Sequence, residues 1–143
     1  MYSILENMFV SKDLYQSVMA PVCEKYDMTQ TEMTVLLFLK NNNDVDTATD
    51  IVKRRGLTKS SVSAAVRTLT DNGYLTGKYT EGNHRTIHLA LSEKADNIVK
   101  EGLYAQEKFF EIITCGFSEE EKQSAKNFIM KITENITKHN HVN

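Results

Sequence analysis

The fold of this chain is decided by residues 47–91, which read TATDIVKRRGLTKSSVSAAVRTLTDNGYLTGKYTEGNHRTIHLAL. From Thr58 onward, apolar residues recur at the i, i+3, i+4 and i+7 spacing that is typical of one face of an amphipathic helix. These residues are Val62, Ala65, Val66 and Leu69. The opposite face carries short hydroxyl groups and basic side chains, which let a helix backbone approach a grooved partner closely. We therefore predict a helix with a small, polar and basic outer face.

A shorter helix is predicted immediately before this one. Thr47 can cap it, with Asp50 three residues later, and Gly56 can end it. Two helices joined by a glycine-containing turn of about three residues form a helix-turn-helix. The second helix of such a motif is the one that enters the major groove of DNA.

Two strands are predicted after the helices. Residues 74–79 and 86–91 alternate well enough to be strands, and Gly82 and Asn83 supply a turn between them, with Arg85 at its tip. A two-stranded ribbon in this place is a wing. The predicted fold class is therefore mainly α with a small β wing, in which residues 29–91 form a winged helix-turn-helix domain.

Capping boxes predict where two of the flanking helices begin. Thr29 and Glu32 precede a helix that is apolar nearly all round and must therefore be buried. Ser118 and Glu121 precede the last helix, whose first turn is acidic.

The terminal segments are predicted to be helical as well. Pro21 is expected to kink the first helix or to begin a new turn, and Ser92 is expected to cap the helix after the wing. The apolar stripes of these helices are larger than one small domain can cover. Residues 1–28 and 92–143 are therefore predicted to form a helical dimerisation region that packs against a second copy.

The order and spacing of these motifs resemble the MarR family of bacterial winged helix-turn-helix transcription regulators. The matching residues read NGYL at 72–75, NHR at 83–85 and LSEKA at 91–95. Two positions depart from the family pattern, because Asn83 stands in place of a wing aspartate and Ala95 in place of a glycine. The resemblance covers nearly the whole chain. It implies a homodimeric transcriptional repressor that binds a palindromic operator and responds to a ligand.

Seven residues are candidates for contact with double-stranded DNA. They are Lys59, Ser60, Ser61, Ser63, Arg67, Lys78 and Arg85. On the second helix, Arg67 alone can make a bidentate contact to guanine, and Lys59 is expected on a phosphate. Arg85 is predicted to enter the minor groove, with Lys78 on the flanking phosphates. The alternative for Arg85 is an ion pair with an acid of its own chain.

The distribution of charge favours the same interpretation. Residues 47–88 contain seven basic and three acidic side chains, a local charge of +4 in a chain of net charge −2. A basic central segment between acidic flanks is typical of a DNA-binding module whose flanks serve another purpose. A winged helix that binds another protein is the alternative from a different class.

The family resemblance also implies an effector. A small aromatic or phenolic molecule would bind between the dimerisation helices and the winged domain. The candidate lining residues are Tyr15, Met19, Met33 and Phe109. The alternative is that they belong to the core, because methionine and aromatic residues at helical spacing are more often core residues.

Two cysteines, Cys23 and Cys115, are too few for a disulfide framework and are expected to be thiols. Cys23 lies on the apolar side of the first helix, where a cysteine is usually a small buried hydrophobe. Relatives that sense peroxide carry a reactive cysteine in the first helix. A cysteine-based redox-sensing regulator is a further alternative, with Cys23 and Cys115 as the candidate redox residues.

Enzyme and metal chemistry find little support in the sequence. No phosphate-binding loop, zinc-protease motif or nucleophile motif is present, so no catalytic residue and no cofactor is predicted. His84 and His88 would lie about 13 Å apart on a strand, too far to share an ion. His139 and His141 lack other ligands nearby in sequence, so no metal site is predicted.

No membrane association is predicted either. No apolar run approaches the roughly 18 residues of a membrane span, and residues 1–4 lack the pattern of a signal peptide. A cytoplasmic location is expected.

Overall fold

The structure is a computed structural model that describes residues 3–140, without the side chain of Asn140. Over this range the chain forms six α-helices, one antiparallel pair of strands and a short 3-10 helix. In order they are α1 (Ile4–Lys25), α2 (Gln30–Asn41), α3 (Ala48–Arg55), α4 (Lys59–Asp71), β1 (Leu75–Thr80), β2 (Asn83–Leu91), the 3-10 helix (Glu93–Ala95), α5 (Asp96–Ile113) and α6 (Glu119–Asn140). The predicted fold class, mainly α with a β wing, is confirmed.

The chain divides into two compact units, the first ending at Phe109 and the second beginning at Phe110. The first unit contains α1, the helix-turn-helix, the wing and most of α5. The second contains the end of α5 and α6. The assignment of residues 1–28 and 92–143 to a dimerisation region stays a prediction.

Side-chain caps fix the beginnings of the helices. The amide of Glu32 donates to the Thr29 hydroxyl over 3.1 Å, and the Glu32 carboxylate accepts from the Thr29 amide. The same reciprocal bonds join Ser118 and Glu121. Both predicted capping boxes are therefore confirmed. Thr47 caps α3 in the same way with the carboxylate of Asp50.

One local expectation was wrong in part, and another was wrong entirely. Helix α1 runs from Ile4 to Lys25 with Pro21 inside it, so no new helix begins at Pro21, and the kink expected there stays a prediction. The Ser92 side chain makes no capping bond. Its hydroxyl donates to the carbonyl of Gly73 over 2.6 Å instead, which ties the end of the wing to the end of α4.

Helix α2 lies at the centre of the first unit. Five consecutive residues are buried there, from Val35 to Leu39, as its apolar sequence predicted. Helix α5 approaches α2 closely at Gly102. A Cβ atom added to Gly102 would lie 2.9 Å from Cδ2 of Leu37 and 3.1 Å from Sδ of Met33, so only glycine fits without displacement.

The wing is one antiparallel pair of strands. Leu75 pairs with Leu91, and the register continues to Tyr79 and Ile87 before it becomes irregular. Residues 81 and 82 form the turn, where Gly82 adopts a φ of +79°. The predicted turn was too long, because β2 already begins at Asn83. Arg85 therefore lies inside β2 and not at the tip of the wing.

Candidate nucleic-acid interface

Helix α4 separates an apolar face from a polar one, as predicted. Val62, Ala65 and Leu69 are buried in the core of the first unit. On the other side, Lys59, Ser60, Ser63 and Arg67 are exposed. Thr58 fixes the start of the helix, because its hydroxyl accepts a hydrogen bond from the amide of Ser61. Because the serine side chains of this outer face are short, the longer basic side chains extend beyond them.

Ser61 differs from the other candidates on α4. It is half-buried, and its hydroxyl donates to the carbonyl of Thr58 over 2.9 Å. It also accepts from the Thr58 hydroxyl over 2.8 Å. The hydroxyl hydrogen of Ser61 is thus used within the cap, so Ser61 has fewer hydrogen-bonding groups free for DNA than the exposed Ser63 has.

The turn before α4 gives the helix-turn-helix its bend. Gly56 ends α3 in the left-handed region, with a φ of +62°, and its amide donates to the carbonyl of Val52. Glycine adopts this conformation without the steric cost that a side chain would add. The predicted role of Gly56 as a helix stop is confirmed.

The four candidate cations are available to a ligand. Lys59, Arg67, Lys78 and Arg85 take part in none of the ion pairs found between residues 3 and 140. Arg54, in contrast, donates to Asn42 and lies 3.4 Å from a carboxylate oxygen of Asp44. The guanidinium group of Arg55 lies over the ring of Phe38. These four cations are the ones that the sequence predicted for contact with DNA.

The outer part of the wing is ordered by its own residues. The amide of Arg85 donates to the side-chain oxygen of Asn83 over 3.0 Å. The rings of Tyr79 and His84 meet edge to face, with their centroids 5.7 Å apart. Asn83, which replaces the aspartate of the family pattern, thus fixes the backbone before Arg85. The guanidinium group of Arg85 is left exposed.

A contact between His88 in the wing and Asp46 before α3 was not predicted from the sequence. Nδ1 of His88 lies 2.7 Å from a carboxylate oxygen of Asp46, and the amide of Leu89 donates to the carbonyl of Asp46 over 2.8 Å. Asp46 directly precedes Thr47, the cap of α3. The two side chains are 42 residues apart in the chain, so no local pattern could have paired them.

The four candidate effector residues divide into two groups. Met19 and Met33 are each 1% exposed and belong to the core. Tyr15 and Phe109 are half-buried and meet edge to face at 5.3 Å, and the Tyr15 hydroxyl accepts from Gln106 over 3.0 Å. An open groove of about 630 Å³ lies elsewhere in the first unit. It is lined by Lys40, Leu91, Asp96, Val99, Lys100, Leu103, Tyr104 and Glu107, and thus by none of the four.

The two cysteines have different surroundings. Burial raises the pKa of the Cys23 thiol, and the negative charge of Glu32 raises it further. A raised pKa disfavours the thiolate, which is the reactive form. Cys115 is exposed. Neither cysteine forms a disulfide in the part of the chain that the structure describes.

Two further features concern metals and membranes. Between residues 3 and 140, no group of three or more histidine, cysteine, aspartate or glutamate side chains is placed to hold a metal ion. His141, one of the histidines considered above, lies outside the described residues. None of the described helices combines the length and apolarity that crossing a bilayer requires.

Part of the chain matches the sequence model of a known protein family. The model of the MarR family matches residues 26–85, which extend from the end of α1 to Arg85 in the wing. The resemblance to the MarR family is confirmed. The matched residues include α2, the whole helix-turn-helix and all seven candidate DNA-binding residues. No curated protein matches the chain in sequence.

Solved structures share the fold along nearly the whole chain. A MarR family transcriptional regulator from Listeria monocytogenes complexed with 26mer DNA has a TM-score of 0.85 at 19% identity, covering 97% of this chain and 92% of its own. NadR in complex with 4-hydroxyphenylacetate has a TM-score of 0.77 at 14% identity, covering 92% and 93%. BpsR of Bordetella bronchiseptica, whose DNA binding is regulated by 6-hydroxynicotinic acid, has a TM-score of 0.68 at 14% identity, covering 88% and 95%. These likenesses show the MarR winged-helix fold with its terminal helices.

Proposed function

We propose that this protein is a homodimeric, sequence-specific DNA-binding transcriptional regulator, a ligand-responsive repressor that binds a palindromic operator. The observation that carries the proposal is the outer face of α4, where Lys59 and Arg67 are exposed and form no ion pair among the described residues. A helix-turn-helix presents this face to the major groove, and two copies contact half-sites about 34–36 Å apart. The DNA-bound Listeria structure of the same fold supports the assignment.

Selection from a random-sequence duplex library tests DNA recognition and requires no operator sequence in advance. The native protein should enrich a motif with dyad symmetry, and the half-sites should be separated by one helical turn. Enrichment of a motif without symmetry would contradict the palindromic operator. Failure to enrich any motif, while a partner protein binds the same face of α4, would favour the protein-interaction alternative.

The proposed dimer rests on apolar residues that each unit leaves exposed. At the start of α1 they are Ile4, Leu5, Met8, Phe9 and Val10, all more than half exposed. On α6 they are Phe128, Ile129, Met130, Ile132 and Ile136. Contiguous apolar patches of this kind mark interfaces between proteins. Native mass spectrometry should give twice the chain mass of 16.3 kDa, and Phe9→Asp with Ile132→Asp should give the monomer.

The proposed effector is an aromatic or phenolic acid. NadR in complex with 4-hydroxyphenylacetate and BpsR regulated by 6-hydroxynicotinic acid are two proteins of this fold with ligands of that class. In this chain, the half-buried Tyr15 and Phe109 are the candidate residues best placed to meet a ring. We expect 4-hydroxyphenylacetate or 6-hydroxynicotinate to raise the melting temperature and to release DNA. An unchanged melting temperature with both would remove the basis for this ligand class.

The cysteine-based alternative makes a different prediction. The surroundings of Cys23 disfavour the thiolate, whereas Cys115 is exposed. Peroxide should therefore modify Cys115 first and leave DNA binding unchanged, as measured by mass spectrometry and anisotropy on one sample. Loss of binding that Cys115→Ser abolishes would establish the redox switch instead. We also propose a cytoplasmic location and no enzymatic activity.

A further inference from the structure

Among the described residues, the outer half of the wing is joined to the rest of the first unit by one polar side-chain contact. This is the contact of 2.7 Å between Nδ1 of His88 and the carboxylate of Asp46. Farther out, at residues 78–87, the hydrogen bonds and ring contacts of the described chain join wing residues to each other. The orientation of this part therefore depends on the ribbon's buried base at Leu75 and Leu89 and, among polar side-chain contacts of the described residues, on the contact at His88.

A backbone bond places Asp46 along the free edge of β2. The amide of Leu89 donates to the Asp46 carbonyl over 2.8 Å, on the edge that β1 does not occupy. Thr47, the next residue, caps α3. The contact between Asp46 and His88 thus connects the wing directly to the first helix of the helix-turn-helix.

His88 is also adjacent to a proposed DNA contact. Lys78 on β1 is the register partner of His88, so both side chains lie on the same face of the ribbon. Asp46 holds this face from one side, while Lys78 stands exposed beside it. A change in the angle of the ribbon at this point would move Lys78 and Arg85 together.

We propose that Asp46 and His88 are positioning residues, which hold the wing at the angle that lets Lys78 and Arg85 reach DNA beside the base pairs contacted by α4. The proposal rests on the proposed DNA-binding function. Neither residue itself touches DNA. Both act through the ribbon, in the way that supporting side chains orient a binding constellation.

The solvent exposure of the pair distinguishes a role in positioning the wing from a role in stabilising the fold. The side chains of His88 and Asp46 are 35% and 46% exposed. Side-chain pairs that are this accessible to water contribute little to the stability of a fold. Removing Asp46 should therefore leave the melting temperature and the helical circular dichroism signal nearly unchanged.

The chain offers a matched control in the same segment. Asp44 lies two residues before Asp46, and its side chain is 69% exposed and pairs with Arg54 instead of the wing. Asp44→Ala and Asp46→Ala remove the same charge near the DNA face. Loss of a negative charge alone should strengthen binding to DNA or leave it unchanged. At position 46, loss of the contact with His88 should therefore lower the affinity for DNA, whereas loss of the negative charge alone should not.

The experiment measures anisotropy with a labelled duplex that the native protein enriches from a random-sequence library. We expect Asp46→Ala to bind about fivefold more weakly than the native protein, and Asp44→Ala to bind no more weakly. Asp46→Asn should restore binding to within about twofold, because its amide oxygen still accepts from Nδ1–H of His88. His88→Ala should match Asp46→Ala and provides a second variant if the first one folds poorly.

A combined variant tests the mechanism itself. In a protein that carries Lys78→Ala and Arg85→Ala, adding Asp46→Ala should cause no further loss, because the wing then has no DNA contact to misplace. A further loss of the same size would overturn the proposal, as would Asp46→Ala binding as tightly as Asp44→Ala. If the native protein enriches no duplex, the proposed function fails and the positioning role with it.

Discussion

At the residue scale, one carboxylate fastens the end of α1 to α5. Glu101 accepts from Nζ of Lys25 over 2.6 Å and from the hydroxyl of Tyr26 over 2.8 Å. The hydrogen bond from Lys25 lowers the pKa of the Glu101 carboxyl below its ordinary value, and the bond from Tyr26 lowers it further. The contact joins residues 76 positions apart, so it holds two elements together that are distant in sequence.

This contact predicts a dependence of stability on pH. A depressed carboxyl pKa stabilises the fold above the ordinary glutamate pKa, and this contribution is lost as the pH falls through the folded value. Glu101→Gln should therefore lower the melting temperature slightly near neutral pH, and the difference from the native protein should shrink under acid conditions. Glu107→Gln, elsewhere on α5, is the control. A difference that stays constant with pH would exclude the contact as its cause.

At the element scale, the close packing of α5 on α2 depends on one glycine. Gly102→Ala would place a methyl group within 2.9 Å of Leu37. Overpacking of this kind costs about 1–3 kcal/mol, which over most of this range exceeds the gain of about 1 kcal/mol from the higher helix propensity of alanine. We therefore expect a lower free energy of unfolding by chemical denaturation. Asn97→Ala, at an exposed position of α5, should be neutral or stabilising; a stabilised Gly102→Ala would contradict the packing.

A second prediction at this scale concerns the contact of the wing with DNA. Arg85→Ala should weaken binding to the selected duplex by roughly 1–3 kcal/mol if its guanidinium group enters the minor groove. The dependence of log K on log salt should become shallower by about one ion per wing. Circular dichroism and dimer mass should not change. Equal affinity with an equal salt slope would show that Arg85 contacts no DNA.

The elements were predictable from the sequence where local chemistry determines them. The caps at Thr29 and Thr47, the stop at Gly56 and the apolar stripe of α4 depend on residues within one or two turns. The same reasoning placed Arg85 at the wing tip, which was wrong because the irregular pairing starts β2 earlier. The contact between His88 and Asp46 was not predictable, because it depends on how distant segments pack.

At the scale of the whole molecule, the two compact units carry complementary features. The first presents the outer face of α4 and the wing, with four candidate cations that no described acid pairs. The second consists largely of α6, whose apolar side chains are exposed. A monomer leaves that surface in water, whereas the proposed dimer would bury it and would carry two copies of the candidate DNA-binding face. The burial of Met19 and Met33 shows that both belong to the core, which their sequence spacing favoured over a role in ligand binding without deciding it.

We propose that the outer face of α4 reads DNA sequence, and substitution of Arg67 tests this most directly. Affinity for the selected duplex should be measured for Arg67→Ala and for Lys100→Ala, which removes the same charge from an exposed position of α5. Arg67→Ala should lose about 1–3 kcal/mol and tolerate base changes at one position of each half-site, whereas Lys100→Ala should bind like the native protein. Equal affinity and unchanged base preference in the two variants would contradict the claim.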